Sequence, residues 1–184
     1  MAEHLDWLET PELRDSLVIE LFRQLPLLDF QAIYGSAEWR TYLALHATFM
    51  SLADGELRDQ VQATLAQTEQ DRITRIATAW EQLAGLFGYR LRPGLGATFE
   101  IMATLLSATL RGLVIMALTT PGIAAHRAQA SPFGAATTDE WSLPAMGTAS
   151  IASAVLEPDP AIQWDDERAA RVRQALSRWA PPAA

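Results

Sequence analysis

Apolar residues recur at helical spacing along most of the chain, and no stretch alternates with period two for long enough to predict a strand. A first helix is predicted to start at Thr10, which suits the N-cap, and to end at Pro26. Two more are predicted over about 37–53 and 56–87. The second has a polar segment at 67–72, which is either a solvated middle or a bend where the helix changes its packing partner. The pattern predicts an all-α protein, a bundle of about six to eight helices.

The helix predicted after Thr98 is apolar almost all round. Its few polar residues fall in a single stripe: Glu100, Thr104, Ser107 and Arg111. Such a helix is buried on most sides in a soluble protein. Its charges and marginal length argue against a membrane span, so we expect no membrane partner.

The last third of the chain contains a long connection and two further predicted helices. Residues 119–140 have little periodicity, and connections of this length are often lids or interface arms. Ser142 is predicted to cap a helix that reaches Leu156 and is rich in Gly, Ala and Ser. Asp165 is predicted to cap the last helix.

Charge and composition exclude several classes of protein. The net charge is -8, lysine is absent and the fourteen arginines are scattered, so we expect no nucleic-acid binding by this chain alone. Without cysteine there is neither a disulfide nor a thiolate metal site. No secretory signal opens the sequence, which favours a cytoplasmic protein.

No catalytic or metal-binding motif is present. None of the three histidines has an acidic or histidine neighbour three or four residues further on, so no helical metal pair forms. No nucleophile elbow, phosphate loop or dinucleotide fingerprint occurs. We therefore expect no enzyme activity, no cofactor and no metal. His46 is interpreted as a hydrogen-bonded histidine of the core or its rim, with a ligand-orienting role as the alternative.

Large aromatic residues and methionines on three predicted helices favour an apolar cavity, because such side chains pack around irregular spaces. Ordinary core packing is the alternative for each of them. The candidate ligand-binding residues are Trp39, Tyr42, His46, Phe49, Met50, Trp80, Leu83, Phe87, Phe99, Met102 and Leu106.

The small residues of the helix after Ser142 allow close approach of another helix. Two interpretations stay open: tight packing within one subunit, or a self-complementary face that pairs two subunits about a two-fold axis. The candidate dimer-interface residues are Trp141, Leu143, Met146, Gly147, Ser150, Ile151 and Ala154.

The order of several segments resembles the C-terminal ligand-binding and dimerisation domain of TetR-family transcriptional regulators. The resemblance covers roughly 36–179 and rests on these segments: Trp39–Leu43, Ala53–Arg58, Tyr89–Leu95, Leu110–Leu113, Trp141–Met146 and Leu156–Asp159. It implies a helical domain over 36–180, preceded by an N-terminal helical extension over 1–35. Nothing in 1–36 resembles the basic helix-turn-helix domain of that family.

By this resemblance, the chain is expected to homodimerise and to bind a small hydrophobic molecule in a helical cavity, without binding DNA itself. The alternative is an interaction protein that pairs with a full-length regulator or another partner and has no small ligand.

Overall fold

The computed structural model describes residues 10–179, except the side chains of 11, 12 and 177–179. Within this part of the chain the protein is a bundle of seven α-helices with a few short strands, so the predicted all-α class is confirmed. The helices are α1 (Pro11–Gly35), α2 (Ala37–Phe49), α3 (Glu56–Phe87), α4 (Phe99–Thr119), α5 (Gly122–Ala125), α6 (Leu143–Val155) and α7 (Asp166–Trp179). Residues 1–9 of the predicted extension lie outside the described residues.

Side-chain caps start most of the long helices where the sequence predicts them. Ser36, Thr98 and Ser142 each accept a hydrogen bond from the backbone N–H three residues on, over 3.2–3.3 Å. Asp165 accepts one from the Arg168 N–H over 2.7 Å. Gly88, in the left-handed conformation with φ 74°, ends α3.

The prediction that the first helix ends at Pro26 is wrong, because α1 continues to Gly35. A proline inside a helix removes one backbone hydrogen bond and is costly in isolation. Here Phe22 before the proline and Phe30 after it are both buried, and Pro26 itself is buried between them. Tertiary packing of both halves therefore holds the helix through the proline.

Within 10–179, four short strands that the sequence did not predict pair in two antiparallel ladders. They are β1 (Tyr89–Leu91), β2 (Arg127–Ala130), β3 (Asp139–Ser142) and β4 (Leu156–Pro158). β1 pairs with β4, with Arg90 opposite Glu157, and ties the end of α3 to the end of α6. β2 pairs with β3 from Arg127 opposite Ser142 to Ala130 opposite Asp139, so the long connection is a hairpin.

The main core joins α1, α3, α4, α6 and α7. It includes Leu17 and Leu21 of α1, Met102 of α4 and Val172 of α7. The small-residue face of α6, formed by Ala145, Ala149 and Ala152, is fully buried in this same core. The interpretation of close packing within one subunit thus holds for that face.

Helix α4 is less buried than the sequence predicts. Its large apolar residues on the outer side are exposed: Ile101, Leu105, Ile115, Met116 and Leu118. Among the described residues, α4 is the one helix with the length and hydropathy to cross a membrane, and 33% of its most apolar window is buried in the protein. The expectation of a helix buried on most sides is wrong, because the helices that pack on α4, which are α3 and α6 with smaller contributions from α1 and α5, leave its outer side uncovered.

Candidate functional site

A cavity of about 360 Å³ lies between the helices of the main core. Helix α1 supplies one wall through Val18, Leu21, Phe22, Leu25, Pro26, Asp29 and Ile33. Helix α3 supplies the facing wall through Arg72, Ile76, Ala79, Trp80, Leu83, Ala84 and Phe87. The lining is completed by Trp39, Tyr89, Leu106, Ser107, Leu110, Arg111, Phe133, Thr148 and Leu156.

The cavity has the size and chemistry of a small-molecule site. Ligand pockets are mostly apolar clefts of roughly 300–1,000 Å³ with a few placed polar groups. Here leucines, isoleucines and aromatic rings form most of the surface, and Arg72, Ser107, Arg111 and Asp29 are the strongly polar exceptions. A ligand in this space would be chosen mainly by shape and apolar area, with its orientation set by the polar groups.

Five predicted ligand-binding residues line the cavity, namely Trp39, Trp80, Leu83, Phe87 and Leu106. Three of these lie on α3 at spacings of three and four residues, which places them on one face of the helix. The sequence pattern on α3 was therefore sufficient to identify that wall.

The other six predicted residues are not among the lining residues: Tyr42, His46, Phe49, Met50, Phe99 and Met102. Met102 is fully buried core, whereas Met50 is 74% exposed. The Phe49 ring carries the Arg58 guanidinium 5.0 Å from its centroid. Helix α2 has no buried residue and lies at the edge of the bundle, so of its side chains only Trp39 reaches the cavity.

His46 makes a local contact. Its Nδ1 lies 3.0 Å from the Tyr42 carbonyl oxygen, and its ring meets the Tyr42 ring edge-on at 4.4 Å between centroids. This geometry matches the hydrogen-bonded rim histidine that the sequence favoured. The ligand-orienting alternative has no contact with the cavity to support it.

The wall supplied by α1 was missed entirely. Val18, Phe22, Leu25, Asp29 and Ile33 recur at three and four residues and form one face of a single helix. Because the helix was predicted to end at Pro26, the residues of this face were assigned partly to a helix and partly to a loop. The helical spacing of these residues continues across Pro26, and this continuity could have predicted a single helix.

The hairpin also reaches the cavity. Between β2 and β3, a 3₁₀ turn (Pro132–Gly134) holds Phe133 at φ 58°, a left-handed conformation that is unusual for a bulky residue. The Phe133 ring packs against Phe22 at 4.3 Å and Tyr89 at 5.5 Å between centroids. Aromatic packing thus holds a strained backbone so that the ring closes part of the lining.

A charged cluster stands at the α3–α4 side of the cavity, formed by Glu69 with Arg72, Arg111 and Tyr42. Glu69 accepts hydrogen bonds from Arg72 Nη2 over 2.6 Å, from Arg111 Nη2 and from the Tyr42 hydroxyl over 3.1 Å. Burial alone would raise the pKa of Glu69, but the hydrogen bonds and charges of both arginines outweigh it and lower that pKa to about 2. The cluster therefore stays charged at ordinary pH.

The prediction of a solvated middle in α3 is wrong for two of its residues, because Glu69 and Arg72 face other helices. The polar stripe predicted on α4 likewise divides: Glu100 and Thr104 are exposed, whereas Ser107 is buried and Arg111 is largely covered. The Arg111 guanidinium lies 5.9 Å from the Trp39 ring centroid and 5.4 Å from that of Tyr42. Cation–π contacts add to the ion pair in holding Arg111 inward.

Asp29 places a carboxyl in the lining of the cavity. Desolvation raises the pKa of its carboxyl, although the residue as a whole is exposed at the cavity mouth. The Tyr89 hydroxyl also has a raised pKa, about 12, because of burial and the nearby charge of Asp15. Within 10–179 there is no group of three or more His, Cys, Asp or Glu side chains placed to hold a metal ion.

Two of the seven predicted dimer-interface residues, Trp141 and Gly147, pack inside their own chain. Trp141 is fully buried in the main core, so its assignment to a dimer surface is wrong. Gly147 faces α4, because a Cβ there would lie 2.8 Å from Thr109 Cγ2. Leu143, Met146 and Ile151 are half-buried, while Ser150 and Ala154 are exposed.

Comparison with known proteins adds no relative from which a function could be carried over. No protein-family model matches the chain, and no curated protein or solved structure is significantly similar to it.

Proposed function

We propose that this chain is a ligand-binding domain that holds a small, largely hydrophobic molecule in its cavity and pairs with a second copy of itself. The observation that carries the ligand part is the cleft of about 360 Å³ between α1 and α3, which is lined mostly by apolar side chains. A concave, mostly apolar cleft of this size with a few polar groups in its lining is typical of small-molecule sites. The TetR-like layout of the sequence is consistent with such a role and adds the expectation of a regulator-like domain.

A neutral apolar dye, N-phenylnaphthylamine, tests the ligand part because its emission rises in apolar surroundings. Leu110 lines the cavity, whereas Leu113, one turn further on α4, is equally half-buried and does not. We expect the unmodified chain to bind the dye, Leu110→Trp to bind it about tenfold more weakly (~1.4 kcal/mol) and Leu113→Trp to bind it unchanged. Thermal melts followed by circular dichroism establish that both variants fold.

Two outcomes would contradict the ligand proposal. Absence of dye binding to the unmodified chain would mean that the space is not accessible to a small molecule. Equal weakening by the two tryptophan substitutions would mean that the dye binds outside the cavity or that its binding reports general loosening of the bundle.

The pairing part rests on the outer side of α4, which we call the α4 stripe: Ile101, Leu105, Ile115, Met116 and Leu118. All five are between 43% and 53% exposed. The charged residues of α4 are Glu100 at its start and Arg111, which is turned inward to Glu69, so the stripe itself carries no charge. A contiguous apolar surface of this kind on a soluble domain marks a contact with another macromolecule.

Gly112 favours a second helix as the occupant of the α4 stripe. A Cβ at Gly112 would meet no atom of the chain within 4 Å, so packing inside the subunit does not require a glycine there. The missing side chain at Gly112, on the outer side of an apolar helix, would let the axis of a partner helix approach closely. The exposed Ser150 and Ala154 on the neighbouring α6 extend the set of small residues. A two-fold axis would bury the same stripe on both copies at once.

The same surface would serve the alternative function, pairing with a full-length regulator. That alternative predicts a chain that is monomeric alone and associates only with its partner. The oligomeric state of the purified chain therefore separates the two.

A further inference from the structure

The cavity is uneven in charge, with positive groups concentrated where α3 meets α4. Arg72 and Arg111 both line it, and their nearest carboxylate, Glu69, does not. Both guanidinium groups share that one carboxylate through the hydrogen bonds of the charged cluster. Two positive charges against one negative charge leave an excess of one positive charge at the edge of an apolar space.

Hydrogen-bonding capacity is unused at the same point. Arg111 Nε is buried and has no hydrogen-bond acceptor among the residues that the structure describes. The Ser107 hydroxyl accepts a hydrogen bond from Arg72 Nη1 over 3.3 Å, and no acceptor for its own hydrogen is found in 10–179. A buried donor without an acceptor is costly, so an incoming acceptor at this point would be favoured.

Most of the remaining lining is apolar. Leu106 and Leu110 lie on the same helix as Ser107 and Arg111, and α3 contributes Trp80 and Leu83 to the same lining. A molecule that satisfied both parts would have one anionic end and an extended apolar body. Guanidinium groups bind carboxylates through paired, charge-assisted hydrogen bonds, which are stronger than those to neutral acceptors.

We propose that the cavity takes an amphipathic carboxylate of the alkyl-acid class, with its carboxylate at Arg111, Arg72 and Ser107 and its chain along the leucines of α4. This inference rests on the proposed ligand-binding function and specifies its ligand class. The other ionisable groups of the lining are Asp29 and Tyr89. Asp29 would instead attract a cationic amphiphile, so the experiment includes one.

Three ligands with the same alkyl chain separate the possibilities: decanoate, decanol and decylamine, each below its micelle-forming concentration. Each competes with N-phenylnaphthylamine for the unmodified chain at neutral pH. We expect decanoate to displace the dye at a concentration about tenfold lower than decanol, in keeping with charge-assisted hydrogen bonds, and decylamine to be the weakest.

Arg111→Met tests the position of the carboxylate, because it removes the charge and the Nε donor and keeps an apolar side chain. Arg23→Met is the matched control: Arg23 is also ion-paired and partly covered, through Glu20, but does not line the cavity. We expect Arg111→Met to weaken decanoate about tenfold and leave decanol within twofold of the unmodified chain. Unchanged decanol affinity also shows that the variant keeps its cavity.

Several results would overturn the inference while leaving the proposed function intact. If the dye binds and decanoate and decanol displace it equally, the charged cluster has a structural role and does not bind a carboxylate. Preference for decylamine would assign the polar end of the ligand to Asp29. Dye binding that none of the three ligands reverses would exclude this ligand class. Failure of the dye itself to bind would refute the proposed function instead.

Discussion

At the scale of single residues, the fold and the cavity depend on a few polar groups held among apolar ones. Glu69 is the clearest case, because its carboxylate is the shared partner of Arg72, Arg111 and Tyr42 and is only 31% exposed. Removing it would leave two guanidinium groups close together without a common counter-charge. Breaking a partly buried ion pair on one side is generally more costly than its net contribution suggests.

The lowered pKa of Glu69 gives this cluster a defined pH dependence. The folded state favours the ionised carboxylate, so its stabilisation is complete above the usual pKa of 4.5 and is lost as pH falls toward about 2. A shift of this size would be worth about 3 kcal/mol without solvent screening, and we expect about 1–2 kcal/mol at this partly exposed site. Glu69→Gln should therefore lower the free energy of unfolding by that amount at pH 7, as measured by urea denaturation.

Glu81→Gln is the control for this prediction, since Glu81 is an exposed residue on the same helix. We expect it to leave stability unchanged within about 0.5 kcal/mol at every pH. The difference between Glu69→Gln and the unmodified chain should shrink as the pH is lowered. A difference that is the same at pH 7 and near pH 3 would mean that Glu69 stabilises the bundle by some means other than its ionised carboxylate.

The charged cluster was not predicted from the sequence, and the reason is physical. Glu69 lies in a polar stretch whose local pattern indicates a solvated face, and Arg111 is 42 residues away on another helix. Only the crossing of α3 and α4 brings them together. Ser107 and Arg111 lie one turn apart on a mostly apolar helix. This pair was the feature of the sequence that could have indicated a polar cluster inside the bundle.

At the scale of helices and strands, the sequence predicted the helix starts that a local side-chain cap determines. It did not predict the boundaries that depend on tertiary packing. Ser36, Thr98 and Ser142 cap their helices through a hydrogen bond within one turn, which is readable from sequence. Pro26 shows the opposite case, because burial of the side chains on both sides outweighs the missing hydrogen bond. The two short ladders were likewise unpredictable, since each strand has only three or four residues and gains its partner from the tertiary fold.

The close approach of α4 and α6 depends on Gly147. A Cβ at this position would lie 2.8 Å from Thr109 Cγ2, closer than two carbons can pack. Gly147→Ala should therefore lower the free energy of unfolding by about 1–3 kcal/mol, although alanine has the higher helix propensity. In the background of Thr109→Ser, which removes that methyl group, most of the loss should disappear, so urea denaturation of all four chains gives a double-mutant cycle.

Gly85→Ala on α3 is the matched control for propensity. A Cβ at Gly85 would meet nothing within 4 Å, so we expect a neutral or stabilising effect of up to about 1 kcal/mol. A coupling free energy near zero between Gly147→Ala and Thr109→Ser would show that the two helices adjust without strain at this contact.

At the scale of the whole molecule, the cavity and the α4 stripe use opposite sides of one helix. Leu106 and Leu110 face the ligand space, while Leu105 and Ile115 point outward. A ligand that alters the position of α4 would therefore also act on whatever covers the stripe. This arrangement joins the two parts of the proposed function through a single structural element.

The pairing proposal predicts that one new charge on the α4 stripe separates the copies. In a two-fold dimer each substitution occurs twice, so Leu105→Glu and Ile115→Glu each place a carboxylate on both sides of the buried apolar face. Unpaired charge in such an interface costs several kcal/mol. Sedimentation velocity should show a dimer for the unmodified chain and a monomer for both variants. Leu57→Glu should remain a dimer, because Leu57 is 66% exposed on α3, outside the stripe.

An unmodified chain that sediments as a monomer would refute self-pairing, and the same three variants then identify what covers the stripe. Flotation with phosphatidylcholine vesicles, lost in Leu105→Glu and Ile115→Glu but kept in Leu57→Glu, would assign it to a lipid surface, in line with the hydropathy of α4. Without vesicle binding, the exposed apolar area would point to pairing with a different protein, as the alternative function requires. Because all three substitutions put the same glutamate on an exposed apolar position, any difference among them depends on the place of the residue and not on its charge.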